Sequence, residues 1–213
     1  MRFADRHDAG RMLARHVADR DLALPIAFGV ARGGVVLAAE IAKACNCPLE
    51  VLLPRKIPSP YSPEVAIGAV AEDGSRLLDE EALAYYGVQE DYLEKTVLRV
   101  MSEIDRRGQL YRTGRPALGA TQATALLVDD GIATGYTLAA AVKQLRAQDP
   151  LAIILMVPVA SRDGLARASG GVDEVICLSQ PEPFFAVSQA YVDFEQVSDE
   201  RVQAMLAQRG LRN

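Results

Sequence analysis

An α/β fold, with a Rossmann-like, mainly parallel sheet flanked by helices, is what this 213-residue sequence predicts. Three observations lead there. From residue 25 onward, short apolar runs alternate with segments of helical period, the rhythm of right-handed strand-helix-strand crossovers. Two of those runs end in turns of small residues, Ala31-Arg32-Gly33-Gly34 and Gly131 to Gly135, that open directly onto helices. Half of the residues are hydrophobic, enough for one sizeable core, and the length is long for one domain but short for two.

The elements follow in order. Ala9, Met12, Leu13, His16 and Val17 recur at helical spacing, which makes the first twenty residues an amphipathic helix on the core, with His16 a packed residue rather than a ligand. Pro25 to Val30 is a strand, and an Ala-rich helical pattern runs on to Ala44. Leu49 to Leu53 is the next strand, followed by Pro54-Arg55-Lys56. The stretch from Ile57 to Pro63 carries three prolines, cannot continue either ladder, and is expected to be a mobile or irregular loop. Val65 to Val70 and Arg76 to Leu78, joined by Glu72-Asp73-Gly74-Ser75, form a hairpin-like insertion. Between Gln89 and Tyr111 the spacing of Tyr92, Thr96, Val97, Val100, Ile104 and Tyr111 predicts one long helix, ended by Gly114 and Pro116.

Thereafter the alternation is regular. Ala125 to Val128, the fourth core strand, is followed by a helix over Thr137 to Gln148, a strand over Leu151 to Val157, a helix over Arg162 to Ala168 and a strand over Glu174 to Leu178. A tail with Pro181, Pro183, Phe184 and Phe185 breaks the rhythm and closes with a helix from about Asp199 to Gln208. The expected organisation is a core over residues 1–180, with a flexible loop and hairpin inserted at about 57–80, and a terminal segment over 181–213 in the same domain.

Composition excludes several functions. With 23 Lys plus Arg against 28 Asp plus Glu, the chain has no cationic excess with which to coat nucleic acid. The longest apolar run, Leu151 to Ala160, is about half of the roughly 20 residues a membrane helix needs, so no membrane partner is expected. The charged N-terminus lacks the apolar core of a secretory signal, and Cys45, Cys47 and Cys177 form neither an even set nor a CxxC pair; a cytoplasmic location is the simpler expectation. Cys45 and Cys47 read as packing rather than redox chemistry, and two histidines without HExxH argue against a protein-only zinc site.

Chemistry concentrates where the strand ending at Val128 runs into Asp129-Asp130-Gly131-Ile132-Ala133-Thr134-Gly135-Tyr136-Thr137 and then a helix. In an open parallel sheet ligands bind at the carboxyl ends of strands, and a helix N-terminus there presents unpaired N–H groups to a phosphate. Thr134 and Thr137 add hydroxyls, Gly135 lets the backbone approach closely, and Ala133 keeps bulk away. A Walker loop is absent, since there is no Gly-Lys-Ser/Thr element. Asp129 and Asp130 would repel that phosphate, so they face something else: a vicinal diol, hydrated Mg²⁺, or positive charge developing on a sugar. A ribose bearing a 5′-phosphate combines these; a capping Asp beside a solvated one is the bland alternative.

Val128 to Thr137 resembles the phosphoribosyl-pyrophosphate (PRPP) signature of the type I phosphoribosyltransferases. Ala31-Arg32-Gly33-Gly34 is similar to that family's pyrophosphate-binding loop, and Arg55-Lys56 matches by position, before the loop that in the family closes over the active site. The chain is most similar to uncharacterised bacterial members with the Arg-Lys, Pro-Glu-x-Ala-Ile-Gly-Ala-Val and Pro-Glu-Pro-Phe-Phe patterns. The resemblance implies the type I phosphoribosyltransferase fold, with residues 181–213 as a small hood.

It also implies a Mg²⁺-dependent transfer of the 5-phosphoribosyl group from PRPP to a nitrogen nucleophile, a nucleobase, releasing pyrophosphate through an oxocarbenium-like transition state. In that scheme Asp129 and Asp130 hold the ribose, Gly131 to Thr137 anchor its 5′-phosphate, and Ala31 to Gly34 bind pyrophosphate with Arg32, Arg55 and Lys56 supplying cations. Mg²⁺ is held mainly by PRPP, near Asp129 and Asp130. Phe184, Phe185 and Tyr191 are candidates to stack on the base, equally readable as core or dimer contacts, and Glu64 on the Ile57–Val65 lid is a candidate proton acceptor. Enzymes acting on 6-oxopurines carry an acid where this chain has Ala133, which argues against hypoxanthine or guanine. Family members commonly pair, so a homodimer is expected; the competing reading is a regulatory protein that binds PRPP or a nucleotide without turnover.

Overall fold

The computed structural model describes residues 1–62 and 65–209. In chain order these form α1 (Arg6–Ala14), β1 (Pro25–Val30), α2 (Gly33–Ala44), β2 (Leu49–Leu52), β3 (Arg55–Pro58), β4 (Ala66–Val70), β5 (Arg76–Leu78), α3 (Glu80–Tyr85), α4 (Glu90–Tyr111), β6 (Thr124–Val128), α5 (Tyr136–Arg146), β7 (Ala152–Val157), α6 (Arg162–Ala168), β8 (Glu174–Cys177) and α7 (Asp199–Arg209). A short 3₁₀ turn, Val187–Ala190, precedes α7.

Five strands make the expected parallel sheet, in the order β2-β1-β6-β7-β8. Its central strands are buried on both faces, as parallel strands covered by helices must be. Leu126 and Val128 of β6 join the core beneath α1, α2 and α7, while Ala125 and Leu127 pack on the other face against Leu138, Ala141 and Leu145 of α5. The chain leaves β1 towards β2 and returns on the opposite side with β6, so the strand order reverses between β1 and β6. That is the switch point at which open α/β sheets hold ligands. The register Gly29↔Val128 brings the turns that follow these two strands side by side.

Four sequence expectations need correction. The N-terminal helix covers only residues 6–14: Phe3 is drawn into a parallel bridge with Tyr191, and Asp5 caps the helix start by accepting a bond from the Asp8 amide. His16 lies beyond that helix and is exposed, not packed. Ile57 and Pro58, expected in the irregular loop, continue a ladder as the end of β3. Pro58 is tolerated because β3 is an edge strand and its register shifts at Ile57/Pro58. Finally, the 66–70 strand belongs to a separate antiparallel sheet, β3-β4-β5, which makes β6 the third strand of the main sheet, not the fourth. Helix α3, capped by Asp79, was not foreseen. Pro63 lies outside the described residues.

Among the described residues no helix is long and apolar enough to cross a membrane. Cys47 is buried and Cys45 and Cys177 half-buried, with no disulfide among them; burial pushes the Cys45 and Cys177 thiols up, away from the reactive thiolate.

Candidate active site

The two turns expected to carry chemistry meet at the switch point, and glycine is what lets them meet. A Cβ on Gly33 would lie 1.9 Å from Asp130 Oδ2, and one on Gly34 would lie 2.5 Å from the Val128 carbonyl oxygen and 2.9 Å from Asp129 Cα. The first turn of α2 is therefore pressed against the acids themselves. The Ala31–Arg32 peptide just before it is cis. Helices α1, α3 and α6 each start under a side-chain cap, from Asp5, Asp79 and Ser161. Helices α2 and α5, which both start at the switch point, have no side-chain cap, nor has α4. In α2 the Val35 amide donates to the Arg32 carbonyl oxygen at 3.3 Å, and a helix start without a side-chain cap can present its other N–H groups to an anion.

Asp129 and Asp130 are held differently. Asp129 Oδ1 accepts the Asp130 amide at 2.8 Å. Asp130 Oδ2 is taken by Arg6 Nε at 2.7 Å, and the Asp130 carbonyl oxygen accepts the Tyr191 hydroxyl at 2.6 Å. Arg6 is itself fixed: its guanidinium lies 3.8 Å from the centre of the Phe194 ring and donates to the Glu195 carbonyl oxygen at 2.7 Å. Burial raises the Asp129 carboxyl well above the ordinary carboxylate range, and the Asp130 charge adds to the rise. Burial raises Asp130 too, against the pull of Arg6. Two such groups resist ionising together unless a cation or a positively charged transition state is near.

The loop from Gly131 to Thr137 is braced from behind. Ile132 is buried and bridges to Ala160, so its side chain serves packing. The Ala133 carbonyl oxygen accepts the Ser161 hydroxyl, and the Thr134 carbonyl oxygen accepts Arg167. Gly135 adopts φ +81°, and a Cβ there would lie 2.2 Å from the Gly164 carbonyl oxygen, so no other residue fits. Ala133 and Thr134 are exposed and Thr137 is half-buried. Tyr136 contributes only its amide to this side: its hydroxyl donates to Asp79 and its ring is covered by Ala69, Ala71 and Ala140.

On the other flank of Ala31-Arg32 a cavity of about 510 Å³ opens between the start of β3 and α4. Arg32, Arg55 and Lys56, the residues expected to supply cations, line it together, and α4 adds Arg99, Glu103 and Arg107. Arg32 lies 3.7 Å from Asp199 Oδ1, which also accepts the Tyr111 hydroxyl at 2.5 Å.

The aromatic candidates separate. Tyr191 is 2% exposed, packed between Phe3 and Phe194, and cannot stack on a ligand; its hydroxyl braces the acids instead. Phe184 is half-buried against the core, whereas Phe185 is 81% exposed. The neighbouring Val187 fills the space a Cβ on Gly131 would need, so this segment lies against the loop. Glu64 lies outside the described residues. Sequence reasoning missed Arg6, which no local pattern ties to residue 130, and the α4 side chains, whose signal was the i, i+4, i+8 spacing of Arg99, Glu103 and Arg107.

Two carboxylates suit Mg²⁺, which takes one or two protein oxygens and fills its octahedron from phosphates and water. Asp129 Oδ2 and Asp130 Oδ1 are the oxygens not engaged by the bonds just described. No group of three or more His, Cys, Asp or Glu side chains able to hold a metal occurs among the described residues.

Comparison with known proteins gives these features a family. Residues 7–195 match the family model "Phosphoribosyl transferase domain". The chain is 41% identical over 204 residues, 96% of its length, to "Putative phosphoribosyl transferase Rv0571c" of Mycobacterium tuberculosis strain H37Rv, and equally to its counterpart in strain CDC 1551. It spans 46% of the length of those relatives. The crystal structure of TT1426 from Thermus thermophilus superposes with a TM-score of 0.82 at 39% identity, covering 98% of this chain and 99% of that one. A Neisseria gonorrhoeae protein solved with bound ppGpp shares the fold, with a TM-score of 0.52 at 11% identity over 98% of both chains. A matched model over most of the chain and relatives at 41% identity place this protein in the phosphoribosyl transferase family.

Proposed function

We propose that the protein transfers the 5-phosphoribosyl group of PRPP to a ring nitrogen of a nucleobase and releases pyrophosphate. The observation that carries this reading is the juxtaposition at one switch point of a buried acid pair, an uncapped and braced loop, and a cavity lined by cations. The amides of Gly135 to Thr137 and the hydroxyls of Thr134 and Thr137 hold the 5′-phosphate. Asp129 and Asp130 accept the ribose hydroxyls and favour positive charge on the ring as the bond to pyrophosphate lengthens. Arg32, Arg55 and Lys56 balance the leaving group, so that catalysis is mainly positional and electrostatic.

Asp129 and Asp130 are the residues that would hold Mg²⁺ beside the substrate, where it would supply positive charge against the leaving group. Ala133 offers no proton acceptor, which favours bases other than the 6-oxopurines. Phe185, exposed on the segment against Gly131, is the aromatic candidate left to stack on a planar acceptor.

Pyrophosphate release from PRPP, measured with Mg²⁺ across adenine, uracil, hypoxanthine, guanine and other nitrogen heterocycles, tests the reading. Base-dependent release with one or a few acceptors is expected. PRPP binding without release for any acceptor would replace it with the regulatory alternative.

A further inference from the structure

The cation-lined cavity beside Ala31 holds more charge than the motif residues alone bring to it. Arg99 and Arg107 from α4 join Arg32, Arg55 and Lys56, with Glu103 the one carboxylate on the wall among the described residues. Residues 99, 103 and 107 are spaced four apart, so one face of α4 presents all three. Burial, and after it the charge of Arg107, push the Arg55 guanidinium below its ordinary range, with Glu103 partly offsetting them. These cations crowd one another as well as attract an anion.

Glu103 is what holds them together. Its Oε1 accepts Arg107 Nε at 2.8 Å and Arg55 Nη1 at 3.4 Å. It is also bonded twice to Arg106, through Oε2 at 2.7 Å and Oε1 at 3.0 Å. Arg106 is 57% exposed and does not line the cavity, so Glu103 has a second home that leaves Arg55 and Arg107 free. An anion entering the cavity meets two guanidiniums already placed and one carboxylate able to give them up.

We propose that α4 forms the far wall of a diphosphate site, in which Arg99 and Arg107 bind the ligand with Arg55 while Glu103 is the internal counter-anion that the ligand displaces. This rests on the transferase reading only for the source of the diphosphate, the departing end of PRPP. Glu103 sets the strength of product binding: it keeps the cations ordered when the site is empty and opposes the diphosphate when it is full, which favours release.

The sign of the Glu103 effect separates this role from a structural one. Binding of inorganic pyrophosphate to the full chain, measured by calorimetry at fixed ionic strength, should tighten about tenfold in Glu103→Gln, which removes the like charge and keeps a hydrogen-bonding oxygen. Arg99→Gln and Arg107→Gln should each weaken it about tenfold, with a circular dichroism melt as the check on folding and Arg107→Lys as the substitute should the glutamine variant melt early. In turnover, Glu103→Gln should lower kcat and the KM for PRPP together, the pattern of slowed product release.

Unchanged or weaker pyrophosphate binding in Glu103→Gln, or full affinity in both folded arginine variants, overturns the proposal. So does a wild-type protein that does not bind pyrophosphate. Should the wild type bind pyrophosphate with the expected variant pattern yet release none from PRPP, the transferase reading falls while this assignment stands.

Discussion

The two sides of the cleft are built by opposite means. On the acid side the backbone itself is the device: Gly33 and Gly34 leave no room for a Cβ, Gly135 sits against the Gly164 carbonyl, and Asp129 and Asp130 are held by an amide, Arg6 and Tyr191. On the cation side the parts are long, partly exposed side chains, with Arg55 of β3 and Arg107 of α4 paired to Glu103 and Arg32 of the turn before α2 paired to Asp199. The difference teaches where each kind of change is tolerated. The acid side should respond to small changes of shape, and the cation side to changes of charge.

The largest effect that would break this contrast is chemical. The Asp129→Asn, Asp130→Asn double variant keeps the shape of the site and removes its charge, so pyrophosphate release should fall about a thousandfold while circular dichroism stays native. Retained transfer would mean that the acids are only scaffolding.

A smaller, steric effect sharpens the contrast. Gly34→Ala forces a methyl group to within 2.5 Å of the Val128 carbonyl oxygen, and denaturant unfolding should show a loss of about 1–3 kcal/mol. Wild-type stability in this variant would show that the α2 turn is not tightly seated on the acids.

The smallest effect is a matter of protons. A carboxyl whose folded pKa lies above its unfolded value is more readily ionised in the unfolded chain. Its ionisation costs nothing below the unfolded pKa, and the cost reaches its full value once the pH has risen through the folded pKa. Asp129 is shifted in that direction, chiefly by burial. Asp129→Asn should therefore melt about 2–4 °C higher than the wild type at neutral pH, with the gain shrinking to nothing below about pH 4. A lower melting temperature at neutral pH would show that the ionised carboxylate supports the fold.

The same contrast explains what could be read before the structure. The strand, acids and turn from Val128 to Thr137 form one contiguous piece whose strand-turn-helix geometry could be read locally, and the Gly33-Gly34 turn is nearly as local. The reason for those glycines was less legible: the resemblance assigns them to a pyrophosphate-binding loop, whereas the structure shows them in contact with the acids as well. Arg6 was invisible because its link to Asp130 needs two segments 124 residues apart to meet. The α4 arginines were present as a helical period, but periodicity says which residues share a face, not what that face meets. Tyr191, named among the stacking candidates with core or dimer contact as the alternative, takes the core role, against Phe3 and the Asp130 carbonyl, a tertiary contact that local sequence does not show.

The pairing of Phe3 with Tyr191 reaches further than its few hydrogen bonds suggest. The Phe3 amide donates to the Ala190 carbonyl oxygen at 2.7 Å, and the Val192 and Asp193 amides return bonds to Phe3 and Ala4 at 2.8 and 2.9 Å. Residues before the first helix thus act as a splint across the back of the acid pair. An expression design that trims the opening six residues as dispensable would leave every strand intact, yet it would unfasten the carboxylate that Arg6 secures.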